Sequence, residues 1–396
     1  MSNIPKLRFP EFSGEWEKSE LGKFTQEITR VNSNSDAPIM MISAANGFIL
    51  QSNKYSKEMT GQSLKKYIEL HAGEFAYNHG ASKLKKYGAC FCLDLDKARI
   101  PFVYHCFKLT EGNTKFFSYL LNRTQLDSEL ARYISSSARM DGLLNISYTD
   151  YMKINISVPT LAEQQKIADF LSNVDSIITT ETKILKNLQK KKKALMQKLF
   201  TQQLRFKSDD GTDFPEWEEK KLGDVCETYS GGTPKSGTAE YYGGEIPFIR
   251  SGEISSNKTE LFLTEKGMEN SSAKMVSKGD ILYALYGANS GLCSISKIDG
   301  AINQAILCIK TNENKRFLCN YLQYQREYFY STYLQGGQGN LSGKLVESFI
   351  IPLPCIVEQQ KIADCLSSLD SLIQNQQKVV TTWQQRKKAL LQQMFI

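Results

Sequence analysis

The heptapeptide Glu163-Gln-Gln-Lys-Ile-Ala-Asp169 occurs a second time, unchanged, as Glu358-Gln-Gln-Lys-Ile-Ala-Asp364. At the same offset of 195 positions, 20 of the 38 residues between Glu163 and Phe200 are identical to their counterparts. A second repeated motif lies at the start of each copy, since Leu7-Arg-Phe9 recurs as Leu204-Arg-Phe206. The chain is therefore one unit written twice, in the order globular segment, helix, globular segment, helix.

Each heptapeptide lies near the start of a long amphipathic helix. Thr160 and Glu163 form a capping box in the first copy, and apolar residues then recur at alternating steps of three and four, as in a coiled-coil seam. The seam residues are Ile167, Leu171, Val174, Ile178, Leu185, Leu188, Leu195 and Leu199, and in the second copy Ile362, Leu366, Leu369, Ile373, Val380, Trp383, Leu390 and Met394. We expect the two helices to pair in antiparallel orientation.

Polar residues interrupt this seam at equivalent places in both copies. They are Glu181 with Gln376, and Lys192 with Lys387. An antiparallel pair related by a dyad would place Glu181 near Lys387 and Lys192 near Gln376, a polar layer that fixes register at some cost in stability. Two solvated breaks in separate amphipathic helices are the alternative.

The globular segments differ far more from each other than the helices do. Both alternate short β-branched and aromatic runs with Gly, Asn and Ser turns. The predicted fold class is α+β, with two pseudo-two-fold-related globular domains separated by two long helices that form an antiparallel coiled coil. The predicted domains are 1–158, the helix 159–203, 204–354 and the helix 355–396. The closing helix would lead back into the opening segment, so the termini are expected to lie close together.

Composition limits the classes of function. No run approaches the roughly 20 apolar residues of a membrane span, and the start does not resemble a signal peptide, so we expect a cytoplasmic protein. Nine cysteines without a Cys-x-x-Cys pair predict reduced thiols. Of the net charge of +7, the two helices contribute +6 and all other residues +1. Nucleic-acid recognition by the globular segments would thus need local patches.

The sequence lacks the usual catalytic motifs. The segment Gly231–Ser236 resembles a phosphate loop superficially, but Pro234 stands where glycine is required before the lysine. No Gly-x-Gly-x-x-Gly or Asn-Pro-Pro-aromatic run is present, and the three histidines are too scattered for a metal or triad site. Glu218-Glu-Lys220 matches half of a nuclease motif, although packing and solvation explain it better. We therefore expect no catalytic or metal-binding residues in a binding scaffold.

Several Gly-containing polar stretches are candidates for contacting nucleic acid. Their lysine, arginine, amide and hydroxyl groups can hold phosphates or reach base edges, although solvated lysines and plain tight turns are the alternatives. In the first domain the candidates are Lys54, Tyr55, Asn78, His79, Ser82, Lys83, Lys85, Lys86 and Arg139. In the second they are Thr233, Lys235, Arg250, Ser251, Asn257, Lys258, Asn289, Gln338 and Asn340.

With these features the chain resembles the specificity subunit of a type I restriction–modification system. The resemblance is carried by the segments that start at Pro159 and Pro354, the Lys-Lys-Ala-Leu helix ends and the repeated Trp…Leu-Gly openings. In the second domain, Gly231-Gly-Thr-Pro234 and Lys278-Gly-Asp-Ile-Leu282 resemble the family's target-recognition domains.

The resemblance implies a non-catalytic subunit whose two domains each read one half of a bipartite, asymmetric double-stranded DNA target. The helices would set the gap and dock two methyltransferase subunits, and restriction–translocase subunits would join. S-adenosylmethionine, ATP and Mg are expected in those partners and no cofactor in this chain. The candidate docking residues are Glu163, Gln164, Gln165, Lys166, Glu358, Gln359, Gln360 and Lys361.

Two rival functions come from other classes. A self-contained nuclease or methyltransferase would modify DNA without partners, and a coiled-coil scaffold with protein-binding domains would have no DNA role. The missing cofactor motifs oppose the first rival, and DNA footprinting would separate the second.

Overall fold

A computed structural model describes residues 3–53, 62–80, 82–134, 144–333 and 340–396. The chain forms two compact units, each of which is described by itself. Unit 1 comprises 1–182 with 379–396, and unit 2 comprises 183–378. Each unit contains one globular domain and a segment of both long helices.

Unit 1 contains a four-stranded antiparallel sheet and three two-stranded pairs. The strands are β1 (Glu17–Glu20), β2 (Thr25–Glu27), β3 (Met40–Ser43), β4 (Gly47–Leu50), β5 (Ile68–His71), β6 (Phe75–Asn78), β7 (Ala89–Cys92), β8 (Lys97–Ile100), β9 (His105–Leu109) and β10 (Asn155–Val158). The sheet order is β2-β9-β6-β7, and the pairs are β1-β10, β3-β4 and β5-β8. The helices are α1 (Thr114–Leu121), α2 (Asp127–Tyr133), α3 (Tyr148–Met152) and the long α4 (Leu161–Phe200).

Unit 2 repeats this plan, and its equivalents of the pairs β3-β4 and β5-β8, which a single parallel bridge joins in unit 1, form one continuous four-stranded sheet. The strands are β11 (Glu218–Lys221), β12 (Cys226–Ser230), β13 (Tyr242–Ile249), β14 (Leu261–Leu263), β15 (Lys274–Val276), β16 (Ile281–Ala284), β17 (Cys293–Ile295), β18 (Gly300–Ile302), β19 (Ile306–Thr311) and β20 (Ile350–Leu353). The sheet orders are β12-β19-β16-β17 and β14-β13-β18-β15, and β11 pairs with β20. The helices are α5 (Leu222–Val225), α6 (Glu265–Glu269), α7 (Lys315–Tyr324), α8 (Arg326–Tyr333), α9 (Gly343–Glu347) and the long α10 (Ile356–Gln393).

The order β2-β9-β6-β7 of unit 1 recurs in unit 2 as β12-β19-β16-β17. In each unit, a helix with an asparagine N-cap follows the sheet, α1 in unit 1 and α7 in unit 2. The predicted α+β class and the duplication of one domain plan are thus confirmed. Residues at equivalent positions of the two units are called counterparts below.

Each globular core also contains the end of a long helix. In unit 1 the Phe395 ring lies 5.3 Å from Phe116, between ring centroids, and the Leu7 amide donates to the Gln393 carbonyl at 2.9 Å. In unit 2 the Leu204 amide donates to the Lys198 carbonyl at 3.0 Å. The closing helix therefore meets the opening segment as predicted.

All the predicted seam residues are buried or half-buried. In unit 1, Met394 and Phe395 share a core with Ile167 and Leu171. The first two residues follow the C-terminal end of α10, whereas the other two lie near the N-terminal start of α4. The helices therefore pair antiparallel, as a coiled coil requires. None of the helices within the described residues is long and apolar enough to cross a membrane, and all nine cysteines are free thiols.

The expected polar layer needs a correction. The ion-pair partner of Lys387 in unit 1 is Asp175 (2.5 Å), and that of Lys192 in unit 2 is Asp370 (2.6 Å). The lysines are only partly exposed, so they are not solvated breaks. The heptad pattern defines which faces pair, but it leaves the axial stagger of the helices open.

Candidate DNA-binding surfaces and the helix-start framework

The repeated heptapeptide forms an internal framework. In unit 1 the Glu163 carboxylate, 1% exposed, accepts hydrogen bonds from Arg8 Nε (2.8 Å), Arg8 Nη2 (2.7 Å) and Trp16 Nε1 (3.3 Å). The hydrogen bonds to Glu163 raise the pKa of Arg8. They attach the opening segment to the start of α4. This contact explains why the opening segment is repeated together with the heptapeptide.

Unit 2 contains the same arrangement. The fully buried Glu358 carboxylate accepts from Arg205 Nε (3.1 Å), Arg205 Nη2 (2.9 Å) and Trp217 Nε1 (3.1 Å). Arg205 and Trp217 lie in the second copy of the opening segment. The two units therefore share one charged, hydrogen-bonded connection between opening segment and helix.

The two glutamines of the motif connect the long helix to the asparagine cap of the shorter one. In unit 1, Gln164 Oε1 accepts from the Asn113 amide (2.9 Å), and Gln165 Oε1 accepts from Asn113 Nδ2 (2.6 Å). In unit 2, Gln359 and Gln360 hold Asn314 in the same way, at 3.0 and 2.7 Å. The side chains that cap α1 and α7 are thereby positioned by α4 and α10.

The lysine that ends each Glu-Gln-Gln-Lys motif also has an internal partner. Lys166 pairs with Glu11 at 3.1 Å, and Lys361 pairs with Asp209 at 2.6 Å. The predicted docking role of the eight motif residues stays a prediction. The buried glutamates and first glutamines cannot contribute to it in this conformation, since their polar groups already have partners inside the protein.

The structure exposes a different surface on the long helices. Phe170, Ile177 and Ile184 recur on α4 every seven residues, beside the seam, and are exposed or half-buried. On α10 the same position brings Leu372 and Val379 to the surface. A two-stranded coiled coil needs only its seam to be apolar, whereas a wider apolar face is typical of helices in larger bundles.

Part of this surface in unit 1 forms a groove of about 400 Å³. Phe170 and Ile177 from α4 and Trp383 and Leu390 from α10 line it. The spacing of seven residues beside the seam was the sequence signal that could have located this groove.

The candidate His79 of unit 1 is buried in the protein. It is 5% exposed, and its two ring nitrogens lie 2.7 Å from the Leu144 carbonyl oxygen and 2.9 Å from the Val103 carbonyl oxygen. Its predicted DNA contact is wrong for this conformation, because both ring nitrogens already have backbone partners.

Lys85 is the second candidate with an internal role, because its ammonium donates to the Asn122 carbonyl. Burial lowers the pKa of this lysine. The turn before it is exposed, with the Lys85 amide donating to Ser82 Oγ at 3.0 Å. Lys83 and Lys86 are exposed beside this turn, whereas Asn78 accepts from the Gly80 amide at 3.0 Å. The exposed cations of this stretch remain candidates.

In unit 2 the candidate Arg250 is held by two glutamates. Its Nε and Nη2 atoms each lie 3.1 Å from a carboxylate oxygen of Glu253, and Nη2 lies 2.6 Å from Glu260. These bonds raise the pKa of Arg250. A contact with a base or phosphate would require these ion pairs to break. In this conformation Arg250 therefore stabilises its own loop.

Two predicted loops of unit 2 lie side by side. A Cβ atom added at Gly252 would lie 3.6 Å from Asn289 Nδ2, which brings the loop of Ser251, Asn257 and Lys258 next to that of Asn289. The candidates Thr233, Lys235, Asn257, Lys258 and Asn340 are exposed, and Ser251 and Asn289 are half-buried. The candidates Lys54, Tyr55, Arg139 and Gln338 lie outside the described residues.

Two copies of one α+β domain, connected by paired helices through the same internal framework, define a duplicated recognition scaffold. The family described as the type I restriction modification DNA specificity domain matches residues 32–190 and 215–382. The chain belongs to this family.

Individual relatives extend the similarity over the chain. A putative type I restriction enzyme MjaX specificity subunit of Methanocaldococcus jannaschii is 27% identical over 416 residues, which cover 98% of this chain and 95% of the relative. The type I restriction enzyme EcoR124I/EcoR124II specificity subunit of Escherichia coli is 28% identical over 247 residues, 57% of this chain and 58% of the relative.

Solved structures show the same fold. The type I restriction–modification S subunit from M. genitalium matches with a TM-score of 0.60 at 15% identity, over 99% of both chains. A chain from a type I system studied for its assembly and conformational transition matches with a TM-score of 0.57 at 18% identity, over 96% of this chain and 97% of the other.

The family confirms the functional prediction. The chain is the DNA-specificity subunit of a type I restriction–modification system, a recognition subunit rather than an enzyme. A self-contained nuclease or methyltransferase and a scaffold without a DNA role are not favoured.

Proposed function

We propose that the two globular domains each read one half of a bipartite, asymmetric DNA target and that the paired helices set the unread gap. This proposal is supported by the contrast between the internal framework, which both units share, and the loops, which differ between the units. The contacts of Glu163 and Glu358 are nearly identical, whereas the loops differ: the turn 44–46 joins β3 to β4 in unit 1, and the longer loop 250–260 joins β13 to β14 in unit 2. One scaffold with two different surfaces suits two different half-sites.

Two copies of a methyltransferase subunit dock on the helices in this proposal. The apolar stripe of Phe170, Ile177 and Ile184 supports helix packing by a partner, because an exposed stripe beside a complete seam gains stability when another helix covers it. Restriction–translocase subunits join the same complex, and S-adenosylmethionine, ATP and Mg bind in the partners. The complex works in the cytoplasm, where its DNA is found.

The first experiment maps methylated adenines in DNA modified by the assembled complex. We expect two short half-sites at a constant spacing, on opposite sides of a gap of any sequence. Exchange of residues 1–158 for the first domain of another specificity subunit should change one half-site and leave the other half-site and the gap unchanged. A change in both half-sites would overturn the assignment of one domain to one half-site.

The docking surface is tested by Ile177→Glu, which puts a charge into the apolar groove of unit 1. We expect loss of one partner subunit in native mass spectrometry while the chain itself stays folded by circular dichroism. Lys166→Glu is the matched control, because it places the same side chain on the same helix within the heptapeptide. Loss of the partner in the control alone would favour the motif as the docking site.

A further inference from the structure

A cleft of about 650 Å³ lies in unit 2 between α7, the ends of β16 and β17, and the long helices. Lys278 lies just before β16, Lys297 lies just after β17, and Arg316 and Asn320 lie on α7. These side chains line the cleft together with several serines. None of the four was a candidate from the sequence.

The lining of this cleft is positively charged. It contains the cations of Lys192, Lys278, Lys297 and Arg316 and a single carboxylate, that of Asp370. Asp370 is already neutralised by Lys192 at 2.6 Å. Among the ion pairs of the described residues, none involves the other three cations, so their charges are available to a ligand.

The duplication allows a direct comparison with unit 1. The pairing of β6 with β7 has the same register as that of β16 with β17. Counting outward from these pairs places Ala72 at the position of Lys278 and Asp94 at the position of Lys297. Both cations of the sheet edge are thus specific to unit 2.

The helices give the remaining counterparts. The asparagine N-caps of α1 and α7 both accept a hydrogen bond from the amide three residues later. Counting from these caps places Lys115 at the position of Arg316 and Tyr119 at the position of Asn320. A large aromatic side chain of unit 1 is therefore replaced by a short amide in unit 2.

In unit 1 the equivalent place is neutralised and filled. Lys115 pairs with Asp94 at 3.2 Å, and the Tyr119 hydroxyl donates to Asp175 at 2.7 Å. The Lys387 ammonium lies 5.4 Å from the centre of the Tyr119 ring. Since the framework forms in unit 1 without extra cations or an open cleft, neither is needed for folding.

Lysine, arginine, serine and asparagine are among the side chains that bind phosphate oxygens, and a guanidinium can bind two of these oxygens at once. We propose that this cleft binds a phosphate group and that the phosphodiester backbone of the target DNA supplies it. Ser255, from the loop that carries the candidates Asn257 and Lys258, also lines the cleft. The contacted backbone would thus lie next to a predicted recognition loop. This inference rests on the proposed function that unit 2 reads DNA.

The test uses the full chain assembled with its partner subunits, and the triple variant Lys278→Ala, Lys297→Ala, Arg316→Ala. Each lost phosphate contact lowers the slope of log Kd against log salt by about 0.9, so we expect a slope smaller by about 1 for the single phosphate group in the cleft. Half-site preference should not change, because phosphate contacts carry no base information. Lys115→Ala, at the counterpart of Arg316 in unit 1, should leave the slope unchanged.

A second variant guards against misfolding. Lys278→Ala with Lys297→Asp installs the residues that the same fold carries in unit 1, and it should lower the slope as well. An unchanged slope in both variants would overturn the inference, and so would weaker binding of a partner subunit in place of weaker DNA binding.

Two further measurements separate the possible failures. If changing the second half-site in the DNA has no effect on the wild-type complex, the proposed function itself is wrong. Inorganic triphosphate, titrated into the complex without DNA, tests a free phosphorylated ligand. Saturable binding that the triple variant loses, together with an unchanged DNA slope, would assign the cleft to such a ligand and refute DNA as the source.

Discussion

Replacing Glu163 by leucine tests whether the heptapeptide is a framework or a docking site. The carboxylate is 1% exposed and holds both Arg8 and Trp16. Its loss leaves the Arg8 guanidinium partly buried without a counterion. Removing one partner of a buried pair costs about 3 to 5 kcal/mol, or on the order of 10 °C in the melting temperature of a unit of this size.

The assay is hydrogen–deuterium exchange by peptide during urea unfolding, because two units need not unfold in one step. We expect residues 3–16 to lose protection first in Glu163→Leu. Adding Arg8→Leu should recover most of the stability, since apolar residues in place of both members of an ion pair are often neutral. Lys166→Ala removes a surface pair with Glu11 and should cost less than about 1 kcal/mol.

The outcome of these variants decides between two explanations of the duplicated motif. If Glu163→Leu is no less stable than Lys166→Ala but loses a partner subunit, the motif acts in docking and the framework reasoning is refuted. Glu358→Leu should reproduce the destabilisation in unit 2, because Arg205 and Trp217 donate to its carboxylate in the same way.

Three further changes have defined outcomes. Four residues inserted after Thr180 lengthen α4 by about 6 Å; the gap between methylated half-sites should grow by one or two base pairs, and altered half-sites would contradict this. Asp175→Ala leaves Lys387 without its ion pair and should destabilise unit 1 by about 1 to 3 kcal/mol, measured by urea unfolding beside Lys183→Ala. Burial raises the pKa of Glu253, but hydrogen bonds from Arg250 and backbone amides outweigh it and hold that pKa at about 2, below the ordinary value of 4.5. Its contribution to stability is thus present above about pH 4.5 and is lost as the pH falls towards 2, seen as faster exchange in loop 250–260 that Glu253→Gln should not show.

The sequence was sufficient to predict the features that depend on local periodicity. Repeats of three and four residues define the buried face of each long helix, and a repeat of 195 residues shows the duplication. The partners of Glu163 lay beyond this reasoning, because Arg8 is 155 positions away in the sequence. Lys387 was expected near Glu181, and its ion pair with Asp175 was not predicted, because periodicity does not define the stagger between two helices.

The recognition surfaces were harder to predict, since a polar side chain looks alike in a sequence whether it faces solvent or a carbonyl group. His79 and Arg250 were chosen by residue type, and both have internal partners. The cations Lys278 and Lys297 look like ordinary surface residues until strand register identifies Ala72 and Asp94 as their counterparts. Only the comparison of the two units distinguishes Lys278 and Lys297 from other surface lysines.

The same comparison predicts that the two copies of a partner subunit in the proposed complex bind unequally. Phe170 and Trp383 line the groove of unit 1, and at the helix offset of 195 residues their counterparts are Cys365 and Leu188. The aromatic side chains offer more apolar area, and at about 25 cal/mol per Å² the difference is on the order of 2 kcal/mol, or about 30-fold in Kd.

Native mass spectrometry of the complex during dilution measures this difference. We expect one partner subunit to dissociate well before the other, with the intermediate containing one copy. Phe170→Cys combined with Trp383→Leu gives unit 1 the side chains of unit 2, so both partners should then leave in one concentration range. If the wild-type complex already loses both together, the aromatic groove does not distinguish the two sites, and the stripe beside the seam contributes equally at both.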